Sequence, residues 1–449
     1  MNSLIETDDN RMDSGITVSL GADVSEGYVL RFELHHAEHF DFTSMTLGLE
    51  TPQQLGERLA AQVIATLDAR EDQPDRIACD LYPKFPTTYA AEVLADHYQV
   101  PMLRMQKCHR AIVDAMDGQM KAEAVTMHTA SHSPAQSETQ IVSETGTVPE
   151  THDAVLGICL DDLSYGSDGT LWGGEILEIS GEGFTRLASI HPYQLIGTNM
   201  ELHSSTPWQT AVSMLYDLAR MSHNEDEAIR DFVAKQEASE KVHLLDLCSL
   251  NDARAQYIAQ DRNKNTTRST AASGLFDAAA AILGFQRIST PTGRTPMEAL
   301  SEAAEAFEHN RKSKSQIDAL YAKLGKLIAA AEEMEDPTLE PCDLWEDTDD
   351  GAFSETSADD SQDILHTEQL IRLLADERIR YLTSLGKRNY DHPLNRKQPD
   401  SGTPDDNSRL LAWFLLDALA TIFTQYCNDK KMVLAGKFLQ SGCLRNHFK

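Results

Sequence analysis

The stretch Leu160–Glu175, LDDLSYGSDGTLWGGE, crowds glycines and acidic side chains into a turn between two apolar runs, AVLGICL and EILEIS. Glycine lets a backbone come close to a ligand, and successive amides in a tight turn form an anion-binding concavity. The turn is therefore either a nucleotide phosphate cradle or a glycine-rich structural hairpin. Two other groupings have residue types that do chemistry. His35, His36 and His39 in LHHAEHFDF have the i, i+3/i+4 spacing of a helical metal cluster, or else form a polar stretch at a strand end. Cys108 and His109 place a thiol beside a base, as thiolate catalysis needs, but neighbours on a helix do not face each other, which favours a buried structural cysteine.

The chain has 449 residues, long for one core, so two or three lobes are expected. Its net charge of −32 argues against nucleic acid, because a phosphate backbone is met by clustered Lys and Arg. The 7 cysteines include no CxxC pair, which favours reduced thiols in the cytoplasm over disulfides or a cysteine-type zinc site. The first residues carry no basic segment with an apolar core, so no secretory signal is expected. No apolar run reaches the about 18 residues of a membrane span. The longest, LLAWFLLDALATIF, is broken by Asp417 and reads as a buried helix.

Periodicity arranges these residues on alternating elements. ITVSLGA and YVLRFEL predict a hairpin, TPQQLGERLAAQVIATLDAR a helix over 51–70, and RIACDL and VPMLRMQ a parallel strand pair around the helix TTYAAEVLADHY. AVLGICL, the glycine turn, EILEIS and FTRLASI make a second β unit. The pattern from Pro207 to Met334 is helical throughout, helices follow over 363–384 and 408–427, and KMVLAG (431–436) is a strand. The expected organisation is a disordered N-terminus (1–14), a first α/β lobe (15–120), a flexible linker (121–152), the start of a second lobe with a helical insertion (153–334), an acidic disordered segment (335–363), and the remainder of the second lobe (364–449). No internal repeat is visible. This order matches an α/β, two-lobed actin-like or Hsp70-like (RNase H-like) ATPase architecture with helical insertions, in which a nucleotide lies between the lobes.

The blocks GICLDDLSYGSDGTLWGGE, SLGADVSEGYVL, RIACDLYPKFPTTYAAEVLA, TPWQTAVSML, STAASGLFDAAAAILG and VLAGKFLQSGCL together resemble the HypF family, the carbamoyltransferase of [NiFe]-hydrogenase maturation. The resemblance covers that family's C-terminal, TsaD-like domain. It implies transfer of a carbamoyl group from carbamoyl-adenylate to a cysteine thiolate of a HypE-type acceptor, with ATP or AMP-type nucleotide in the site. It also implies a zinc or iron ion acting as Lewis acid. The nucleotide-binding residues carried over are Gly166, Asp168, Gly169, Gly173, Gly174, Glu175, Asn199 and Gly436. Asp161 matches an aspartate ligand of the metal, and the family's HHHAH motif falls on Lys107, Cys108, His109, Arg110 and Ala111.

That motif is altered here. A charged ammonium at Lys107 and a methyl at Ala111 cannot ligate, so no metal is expected and Asp161 is a remnant ligand. The family's SGG reads Gly436 and Lys437, YEGQ reads PTGR with Gly293 kept, and LPGGD reads LIGTN with Gly197 kept. A last ligand segment like PPNDGGIALGQ would fall beyond Lys449, so the second lobe is expected to be truncated relative to the family. Three functions follow: a degenerate relative that works through protein contacts with a HypE-type or HypF-related partner, without membrane or nucleic acid; an active carbamoyltransferase using Asp161, His109 and Lys107; or a nucleotide-binding sensor.

Overall fold

The computed structural model describes residues 16–20, 28–32, 36–42, 51–116, 155–166, 168, 170–180, 183–196, 207–220, 267–285, 294–307, 311–333, 363–388, 405–428, 430, 432–440 and 442–448. The expected disordered segments at 1–14 and 121–152, and all of 335–363 but its last residue, lie outside the described residues. The described residues of Met1–Ala154, with Ser164–Ser167 and Ser180–Glu182, form one compact unit; those of Val155–Leu163, Asp168–Ile179 and Gly183–Lys449 form a second.

In the first unit the strands are β1 (Ile16–Leu20), β2 (Tyr28–Phe32), β3 (His36–Phe40), β4 (Arg76–Asp80) and β5 (Met102–Met105), in the order β3-β2-β1-β4-β5. β1–β2 and β2–β3 are antiparallel, while β1–β4 and β4–β5 are parallel. The parallel steps need crossovers, supplied by α1 (Pro52–Arg70) and α2 (Pro86–Tyr98). α1 starts where Thr51 and Gln54 cap each other: the Gln54 N–H donates to Thr51 Oγ1 and the Thr51 N–H to Gln54 Oε1 (2.9 Å). Leu59, Ala60, Val63 and Leu67 form its inner stripe and pack on Val18, Leu30 and Ile77 in one core. A third helix, α3, spans residues 107–116 and directly follows β5.

The second unit holds β6 (Val155–Tyr165), β7 (Leu171–Ser180), β8 (Gly183–Ile190), β9 (Tyr193–Gln194), β10 (Arg268–Ser269), β11 (Asp363–Leu365) and β12 (Met432–Ala435). β6 pairs with β7 and, in parallel, with β12; β8 lies beyond β7 and pairs in parallel with β11. Around this sheet run α4 (Pro207–Arg220), α5 (Ala272–Leu283), α6 (Pro296–Glu305), α7 (Arg311–Glu332), α8 (Glu368–Arg388), α9 (Asp406–Cys427), α10 (Lys437–Gln440) and α11 (Gly442–His447). Ala278, Ala279, Ala280 and Ala281 in α5 are all buried, and such small side chains let neighbouring helices approach closely.

Four expectations change. His36 and His39 both stand in strand β3, so the helical metal spacing is not realised, and His35 lies outside the described residues. The helix expected over 363–384 begins at Glu368: Asp363–Leu365 is instead the strand β11, recruited by ladder pairing with β8, which short-range periodicity does not register. The run from 207 to 334 is interrupted by β10, which pairs with β7 and β9. Finally, α9 is long and apolar enough, by length and composition alone, to cross a membrane. Its one interior acid does not break the run because Asp417 is held by the Tyr321 hydroxyl (2.6 Å) and by His447 Nδ1 (3.0 Å), and Leu411, Phe414, Leu415, Leu419 and Phe423 are buried in the second unit.

Candidate functional site

The glycine turn is built around one arginine. Arg186, on β8, donates through Nε to Glu175 Oε2 (2.7 Å), through one terminal nitrogen to Asp168 Oδ2 (2.9 Å), and through the other to Thr270 Oγ1 (3.1 Å). Its guanidinium lies 4.1 Å from the centre of the Trp172 ring. Asp168 Oδ1 receives the Thr170 N–H (2.9 Å) and the Trp172 indole N–H (2.9 Å), which ties the turn to the start of β7. Glu175 is fully buried; its Oε1 accepts the N–H groups of Gly173 (3.1 Å) and Gly174 (3.3 Å) and the Thr270 hydroxyl. A Cβ on Gly173 would stand 2.7 Å from Asp162 O and 2.8 Å from Asp161 O, and one on Gly174 would stand 2.5 Å from Thr270 O. These glycines thus admit the protein's own strands, and their amides are engaged by Glu175. Gly166 is buried, and Gly169, Gly197, Asn199 and Gly293 lie outside the described residues.

In the C-terminal half of β6, Asp161 meets the turn after β12. Its Oδ1 accepts the Asp162 N–H (2.7 Å) and its Oδ2 the Lys437 N–H (3.2 Å). The Lys437 ammonium reaches Asp162 Oδ2 at 2.7 Å. Gly436 has φ +91°, and a Cβ there would stand 2.4 Å from Leu160 O, so only glycine fits this close strand–turn contact. Asp277, on α5, is 7% exposed and makes no hydrogen bond or ion pair among the described residues. Burial, and then the neighbouring Asp162 carboxylate, hold its carboxyl well above the usual aspartate range.

Because folding raises the Asp277 pKa, its cost to stability appears as pH rises through the ordinary range and is complete above the folded value. Asp277→Asn is therefore expected to raise the melting temperature at pH 7, with the gain vanishing below the ordinary aspartate pKa of about 3.9. Melting curves across that window check it; a pH-independent change would show that the charge is not the cause.

In the first unit, Lys107, Cys108, His109 and Arg110 open α3 and all are buried. Lys107 is 6% exposed. The Gln106 side chain caps this end, its Oε1 accepting the His109 N–H at 3.0 Å. Burial pushes the His109 imidazole below its ordinary pKa, towards the neutral form. Cys108 is fully buried, as a structural thiol would be. Two functional candidates escaped the sequence reading. Arg186 is the single cation in the strand FTRLASI, and Asp277 the single acid in the helix SGLFDAAAAIL; a lone charge in an apolar element is the signal that would have found both.

The profile of the family described as "Carbamoyltransferase, Kae1-like Domain, second subdomain" matches residues 157–344. The carbamoyltransferase HypF homolog of Cupriavidus necator is 28% identical over 228 residues, covering 51% of this chain and 46% of that protein. Carbamoyltransferase HypF of Rhodobacter capsulatus is 27% identical over 241 residues, 52% of this chain and 25% of that protein. The chain carries a HypF-like carbamoyltransferase domain. Its fold is that of HypF: full-length HypF in the phosphate- and nucleotide-bound form superposes with a TM-score of 0.56 over 97% of this chain and 51% of that one, at 16% identity. HypF from T. kodakarensis gives 0.56 over 97% and 43%, at 17% identity. This HypF-like chain therefore spans about half the length of these relatives or less.

The residues of the HypF-like domain do not fit the metal implied by the family. The charged ammonium of Lys107 and the methyl of Ala111 offer no lone pair, and among the described residues no three His, Cys, Asp or Glu side chains form a group able to hold a metal ion.

Proposed function

We propose that this chain is a non-catalytic member of the HypF-like carbamoyltransferases, acting in the cytoplasm through protein contacts in [NiFe]-hydrogenase maturation. The hydrogenase link rests on the resemblance to the HypF family, whose name these relatives carry. The observation that carries the loss of transfer is the state of Asp161, whose carboxylate caps the Asp162 and Lys437 amides. Two further positions, Lys107 and Ala111, have lost donor chemistry. Removing one preorganised electrostatic contact costs about 3 kcal/mol, or about 100-fold in rate, so several losses bring transfer to background. The Arg186 network ties the hairpin together through the protein's own Glu175, Asp168 and Thr270, which leaves the fold intact when chemistry is lost.

The test supplies the purified protein with carbamoyl-adenylate and a HypE-type acceptor, and reads the acceptor's C-terminal cysteine by mass spectrometry. No carbamoylated cysteine above the protein-free background is expected, and Lys107→His with Ala111→His is expected not to restore any. Carbamoylation by the unmodified protein overturns the reading in favour of an active enzyme. Calorimetric titration with the HypE-type acceptor and with a HypF-type protein supplies the other arm: saturable binding to one of them is expected, and binding to neither removes the contact role. Saturable binding of AMP without any protein partner favours the sensor.

A further inference from the structure

Lys437 brings a positive charge to an acidic place that it does not fully neutralise. β6 and β12 run in parallel, with Leu434 opposite Ile158 and Ala435 opposite Cys159, so the chain leaving β12 meets β6 at Asp161 and Asp162. There the Lys437 N–H donates to Asp161 Oδ2 (3.2 Å), and the Lys437 ammonium lies 2.7 Å from Asp162 Oδ2. Asp277 of α5 is buried and makes no hydrogen bond or ion pair among the described residues, and the neighbouring charge that acts on it is the Asp162 carboxylate. One ammonium carries one positive charge. It pairs with Asp162, and the Asp277 carboxyl is left without a counter-charge.

We propose that Lys437 is a tethered counter-ion standing where a divalent cation would otherwise bind, and that Asp162 and Asp277 form a Mg²⁺- or Mn²⁺-type site once its ammonium is removed. Carboxylate oxygens are the donors that hard divalent cations take, and Mg²⁺ uses one or two of them while keeping several waters. The side chains of Lys437 and Asp162 are 62% and 40% exposed, so a hydrated ion reaches Asp162 from solvent with its other waters in place. The ammonium and the ion exclude each other, because two like charges cannot share Asp162 Oδ2 at contact distance. A divalent ion carries the second charge that the lysine lacks, and so it satisfies Asp277 as well as Asp162.

Mn²⁺ titration of the full chain tests this, with the free ion counted by its electron paramagnetic resonance signal. Lys437→Met is expected to gain one Mn²⁺ site at least about tenfold tighter than any the unmodified protein offers, and Lys437→Gln to do the same. Melting curves confirm that both variants fold. Lys430→Met makes the same change in net charge at another exposed lysine and is expected to gain no site, which separates a local site from the general pull of a chain of charge −32. Adding Asp277→Asn to Lys437→Met is expected to remove the gain. The readout is cation binding, so it stands apart from whether the chain transfers carbamoyl groups. The proposal is overturned by an unmodified protein that already binds Mn²⁺ as tightly as Lys437→Met, or by an equal gain in Lys430→Met. A gain that survives Asp277→Asn, or no gain in either Lys437 variant, overturns it as well.

Discussion

Arg186→Met is expected to destabilise the second unit by about 3–5 kcal/mol, the usual cost of removing one partner from a buried, hydrogen-bonded ion pair. The Glu175 side chain is 0% exposed and that of Arg186 12% exposed, so no solvent replaces the lost cation. Methionine keeps the apolar stem against Trp172 but leaves Glu175 Oε2, Asp168 Oδ2 and Thr270 Oγ1 without the arginine. The charge is what matters, so Arg186→Met combined with Glu175→Gln should lose less than the sum of the single changes. Urea unfolding followed by tryptophan fluorescence, to which the buried Trp172 contributes, reads the effect. A loss below about 1 kcal/mol for Arg186→Met would mean that the network is loose, as exposed ion pairs are, and does not hold the hairpin.

Gly173→Ala is expected to cost about 3 kcal/mol or more, from two causes that act together. The residue has φ +156°, where L side chains are strained, and the new methyl would fall within 2.9 Å of three backbone atoms: Asp162 O, Asp161 O and Ala271 Cα. None of the three is the end of a flexible side chain, so relief requires β6 and the start of α5 to move away from β7. The same movement disturbs Asp161 and its hold on the Lys437 amide (3.2 Å). Gly325→Ala, where no atom lies within 4 Å, serves as the matched control and should change stability by less than about 1 kcal/mol. Equal melting temperatures for the two variants would show that Gly173 is not held by close strand packing.

Local signals in the sequence were enough for much of this protein. Thr51, Pro52 and Gln54 announce α1 because a capping box works through neighbouring atoms, and the short apolar runs in RIACDL and VPMLRMQ mark β4 and β5. The HypF-like blocks carried the α/β fold, and the residue types at 107 and 111 already denied them a metal ligand's lone pair. Tertiary structure alone decided the rest, because the deciding contacts join residues far apart in the chain. Asp363–Leu365 is a strand only because β8 offers it a ladder. Glu175 meets Thr270 across 95 positions, and Asp161 meets Lys437 across 276, so no local pattern could show that these acids serve the protein's own backbone. The repeated strand order of the two units, β3-β2-β1-β4 in the first and β8-β7-β6-β12 in the second, is equally silent in the sequence: a sheet position demands a pleated, apolar fit but not a particular side chain, and so two unrelated sequences arrived at one path.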